Sequence, residues 1–169
     1  MTSTAPKSRT PLNLDQTGPT RAGRAAELSA ANINPRTGLA TDYLNHFNEA
    51  IMLLEMIPDM PDCTYDVLSW QPLTYQQHFT ASNFKARDLA IEAYDLADPD
   101  IRTEFDNLTT TMTSILTAVA AAMQEARQDK TRAALAVQAT GWVKPLVTLA
   151  GGIINGQGGE ADVDYIMNH

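Results

Sequence analysis

His46 is the residue of this chain whose type and spacing come nearest to chemistry. Asp42 stands four residues before it and Glu49 three residues after, so a helix sets both carboxylates beside one imidazole. Helix-borne His and Glu at such spacing ligate metals in carboxylate bundles. His78 lies on a second helical segment, and His46, Glu49 and His78 together form the candidate metal set. Against it, the paired Glu-x-x-His repeats of di-iron bundles are missing; the order here is His-x-x-Glu, once. The working reading makes these histidines surface or capping residues, with no metal and no cofactor.

A second alternative gives His46 a phosphate. Leu44-Asn45-His46, followed by Ala50-Ile51 and Leu53-Leu54-Glu55, resembles the phosphorylated helix of histidine kinases, although the acidic residue and proline usual after that histidine are missing. Other chemistries find less support. Cys63 is the one cysteine, which excludes an intramolecular disulfide and a Cys-rich zinc or iron–sulfur site. Its neighbours Asp59, Asp62 and Asp66 oppose the thiolate that an attack requires. The glycines at 151, 152, 156, 158 and 159 lack the Gly-Lys-Ser/Thr of a phosphate loop and read as a flexible linker. No catalytic constellation emerges, and the expectation is a protein that is not an enzyme.

The elements that would position these residues are helical throughout. Tyr43, Leu44, Phe47, Ala50, Ile51, Leu54 and Ile57 follow the three-four spacing of one buried face, and Pro58 ends that helix. A short helix is expected over 63–70, stopped by Pro72. Thr74 and Gln77 form a capping box for a helix over 75–97, bent at Ser82-Asn83. Asp98-Pro99 opens the longest helix, which the period of Ile101, Phe105, Leu108, Met112, Ile115, Val119 and Met123 carries to about residue 128. A last helix over 130–150 contains Pro145 and is expected to end at Gly151-Gly152. Residues 1–34 are rich in Ser, Thr, Pro, Ala and Gly with no aromatic, and read as a disordered tail. Three segments follow: 1–34 disordered, 35–152 a helical bundle of about four to five helices, 153–169 a flexible tail.

Charge and hydropathy bound the partners. Twenty acids against twelve bases give a net charge of −8, which disfavours nucleic acid as a partner. The acids concentrate in 42–106, thirteen against three bases, whereas 107–148 holds two acids and four bases. No apolar run reaches the roughly 20 residues of a membrane span; the apolar stretch 142–154 is too short and carries Lys144. No secretory signal stands in the first eleven residues, so a cytoplasmic protein is expected. Met52, Leu53 and Met56 lie outside the first buried stripe, and Trp142 stands beside Val143 and Leu146. More apolar surface than one stripe needs marks an interaction face. Met52, Leu53, Met56 and Trp142 are therefore the candidate interface, in a homodimer with further protein partners unidentified.

The block from Thr37 to Glu49 (TGLATDYLNHFNE), with Trp70-Gln71-Pro72 and His78-Phe79, resembles a family of small alphaproteobacterial proteins. The resemblance covers about residues 35–155. It implies a cytoplasmic bacterial regulatory protein, with a role in cell-cycle or division control, and carries no catalytic residues.

Overall fold

The computed structural model describes residues 20–157. Among the described residues the fold is all-α, with seven α-helices and a single isolated bridge between Ile33 and Ala40. The helices are α1 (Arg21–Ala30), α2 (Leu44–Met56), α3 (Thr64–Ser69), α4 (Tyr75–Ala81), α5 (Arg87–Asp95), α6 (Pro99–Glu125) and α7 (Asp129–Ile154). Short 3₁₀ turns at Thr41–Tyr43 and Pro61–Cys63 lead into α2 and α3. The long helices α6 and α7 pack against each other, and α2 lies along α7.

Local signals explain most starts. Thr74 accepts the Gln77 N–H at 3.2 Å while the Gln77 side chain accepts the Thr74 N–H at 2.9 Å, a reciprocal cap that satisfies two orphan donors. Asp98 accepts the Asp100 N–H at 2.8 Å, and Pro99 occupies the first helical position. Phe105, Met112, Val119 and Met123 of the expected stripe are buried on the inner face of α6, joined by Thr109 and Leu116, whereas Leu108 and Ile115 are half-buried. At the far end of α6, Arg132 donates to the carbonyls of Met123 and Ala126. That part of the basic cluster at 127–132 thus closes a helix terminus.

Three expectations need correction. The segment 20–34 is not disordered. Thr20 caps α1 by accepting the Gly23 N–H at 2.9 Å, and Arg24 pairs with Glu92 of α5 at 2.9 Å. Leu28 and Ile33 enter the core, so two apolar residues anchor a stretch whose average composition is polar. The remainder of that segment, 1–19, lies outside the described residues. The expected helix over 75–97 is two helices: Ser82 is extended and its hydroxyl donates to the Phe79 carbonyl, ending α4. This split and α1 raise the count from four or five to seven. Finally, α7 runs through Gly151-Gly152 to Ile154. Ile153 and Ile154 are buried, and the Thr37 hydroxyl donates to the Ile154 carbonyl at 2.6 Å. Tertiary contacts hold a helix end that glycine alone would release. The rest of the expected C-terminal tail, 158–169, lies outside the described residues.

Candidate functional site

His46 projects from the first turns of α2 towards the loop between α3 and α4. It is 6% exposed. Its Nε2 accepts the backbone N–H of Leu73 at 3.0 Å, which places the proton of the neutral ring on Nδ1. The Trp70 indole stacks on the imidazole at 4.5 Å between centroids, and its Nε1–H donates to the His46 carbonyl at 3.2 Å. Burial, reinforced by the nearby His78, lowers the His46 pKa to about 4. The ring is neutral at physiological pH and acts as a buried acceptor. The expectation of a surface histidine is corrected; the capping reading is closer, since the ring ties down the residue preceding the N-cap of α4.

Tyr43 completes this clasp. Its hydroxyl donates to the Leu73 carbonyl at 2.7 Å, so side chains at the entry of α2 hold both backbone polar groups of Leu73. The Tyr43 ring meets Phe47, Tyr75 and His78 edge-on at 5.2 to 5.5 Å. Burial and the charge of Asp106 push the Tyr43 phenol well above its ordinary pKa. His78, at the end of α4, pairs with Asp42 at 2.9 Å. The two rings of His46 and His78 stand 6.1 Å apart.

The structure does not gather the metal set. His46 Nε2 is occupied by Leu73, His78 Nε2 by Asp42, and Glu49 is exposed. Among the described residues, no three His, Cys, Asp or Glu side chains are placed to hold a metal ion. Cys63 is buried at the start of α3.

A second lock joins α5 to α6. The Tyr94 hydroxyl donates to the Asp106 carboxylate, 2.7 Å from each oxygen. Burial, and then the Asp106 carboxylate, raise the Tyr94 pKa. Tyr75 stacks on Tyr94 at 4.5 Å, and its hydroxyl accepts the Ala40 N–H at 2.9 Å. Sequence reasoning missed both tyrosines, because their partners lie on other elements.

The candidate interface residues separate into two pairs. Leu53 and Met56 are half-buried against the core, while Met52 is 56% and Trp142 50% exposed. Val137 and Leu149 of α7 are exposed as well. Trp142 and Leu149 are seven residues apart and share a flank of α7. Lys144, on the opposite flank, reaches Glu55 of α2 at 2.5 Å. Among the described residues, no helix is long and apolar enough to cross a membrane.

No protein-family model, curated protein or solved structure matches this chain.

Proposed function

We propose that this protein is a non-enzymatic helical adaptor that acts through protein–protein contact and assembles as a homodimer. One observation carries the reading: Trp142 and Leu149 leave large apolar side chains exposed on one flank of α7. The buried face of that helix is filled by Ala136, Ala139, Val143, Ala150, Ile153 and Ile154, whereas Trp142 and Leu149 face solvent. Alanine on the inner face lets α7 approach α2 and α6 closely. Large apolar side chains on the outer face are stabilised only when something covers them. A second copy is the commonest cover, through a two-fold contact in which the same flank meets itself. The charge distribution favours this choice, because 107–148 escapes the excess of acids that fills 42–106. Met52 is a separate exposed position on α2, on the side that Lys144 and Glu55 join, and Leu53 and Met56 are half-buried. The family resemblance supports a cytoplasmic setting in bacterial cell-cycle or division control.

Tryptophan fluorescence tests the face. With Trp70→Phe, Trp142 reports alone. Acrylamide quenching that weakens as protein concentration rises into the micromolar range supports the reading. Quenching independent of concentration overturns it.

A further inference from the structure

Asparagines are not scattered over this molecule. Of nine in the chain, Asn32, Asn34, Asn45, Asn48 and Asn155 line one open cleft of about 550 Å³. They come from four places in the fold: the end of α1, the strap after it, the outer face of α2, and the end of α7. The cleft falls within the roughly 300–1,000 Å³ of small-ligand sites.

The fold holds its walls in place. Asn32 adopts a left-handed conformation, φ 60°, which asparagine tolerates. The strap closes on itself where Asn34 N–H donates to the Leu39 carbonyl at 2.9 Å and Gly38 N–H to the Asn34 carbonyl at 2.7 Å. The Asn34 carboxamide oxygen accepts the N–H groups of Arg36 and Thr37, and Thr37 fastens the strap to Ile154. The Asn45 amide donates to Asp42 at 3.3 Å. Among the described residues, the carboxamides of Asn32, Asn48 and Asn155 make no such bond and are left to the cleft. Phe84 supplies an apolar wall.

The lining chooses the ligand class. No lysine or arginine lines the cleft, which disfavours phosphates and carboxylates. Its one carboxylate, Asp42, has both oxygens engaged, by Asn45 and by His78, which leaves little for a cation. What remains is a set of neutral groups, each offering one acceptor and two donor hydrogens. A hydroxyl both donates and accepts, so vicinal hydroxyls satisfy a carboxamide two bonds at a time. The face of an aromatic ring suits the C–H face of a pyranose. We propose that this cleft binds a neutral saccharide of one or two rings, held by the carboxamides of Asn32, Asn48 and Asn155 against Phe84. The proposal stands independently of the dimer.

Side-chain amide resonances of the full chain, uniformly labelled with nitrogen-15, read it directly. The probes are glucose, N-acetylglucosamine, maltose and N,N′-diacetylchitobiose, each titrated to about 10 mM, beyond the millimolar range of weak small-ligand binding. Saturable shifts of the Asn48 and Asn155 amide pairs with at least one sugar are expected. The variant Asn48→Ala/Asn155→Ala removes two exposed side chains, should melt as the parent does, and should bind roughly tenfold more weakly. Three results each overturn the proposal: no shift with any of the four sugars, equal affinity in the double variant, or an equal response to capped tetra-alanine, which would make the cleft a peptide site.

Discussion

His46 Nε2 accepts the backbone N–H of Leu73 at 3.0 Å, across 27 residues of chain. This bond fixes the loop that opens α4, and it exists only while the imidazole is neutral. Protonation would turn the acceptor into a donor facing another donor, beneath Trp70 and near His78.

Stability should therefore carry a pH signature. The folded pKa of His46 is about 4, against an ordinary 6.5. Above pH 6.5 the group is neutral in both states and stability is full. Between 6.5 and 4 the unfolded chain binds a proton that the folded chain refuses, and stability falls, by about 3 kcal/mol over the whole interval. His46→Gln keeps an acceptor near Leu73 and cannot titrate. Urea unfolding of both proteins at pH 7 and pH 4 should show the parent losing that much more than the variant. Parallel losses would contradict the assignment.

What the sequence reveals here follows the range of each interaction. The caps at Thr74 and Asp98 involve residues two or three apart, and the buried stripe of α6 is periodic, so both are legible in one dimension. The clasp around Leu73 is not: it needs Tyr43, His46 and Trp70 brought together by α3 folding back on α2. Windowed composition hides Leu28 and Ile33 among polar neighbours. The Thr37–Ile154 bond, across 117 residues, holds the α7 terminus that Gly151-Gly152 would be expected to break. The asparagine cleft has no local signature, since its five members span from residue 32 to residue 155.

The α5–α6 lock should be measurable. Tyr94→Phe removes the donor to Asp106 and leaves a half-buried carboxylate without it. A loss of about 1–3 kcal/mol in chemical denaturation is expected. Because partner loss drives the cost, Asp106→Leu in the Tyr94→Phe background should recover part of it. A Tyr94→Phe variant as stable as the parent would show that this bond does not lock α5 to α6.

The strap before α2 depends on Gly38. Its φ is +73°, and a Cβ there would stand 2.8 Å from the Ala93 carbonyl oxygen. Gly38→Ala should destabilise by more than the roughly 1 kcal/mol of a left-handed alanine alone, because a backbone atom cannot move aside cheaply. Differential scanning calorimetry should show a clear drop in Tm. An unchanged Tm would mean the strap sits elsewhere.

Residues 20–34 belong to the folded unit. Leu28→Ala and Ile33→Ala each empty a buried site and should cost about 2–5 kcal/mol by urea unfolding. Costs below about 0.5 kcal/mol for both would restore the reading of this segment as a tail.

We propose that a second copy covers the Trp142–Leu149 flank of α7. Size-exclusion chromatography with light scattering at micromolar concentration tests it most directly. A mass near twice the chain's 18.4 kDa is expected. Trp142→Glu, a change at an exposed position, should return the mass to 18.4 kDa while circular dichroism keeps its helical signal. A parent protein that elutes with a mass of 18.4 kDa across that range would contradict it.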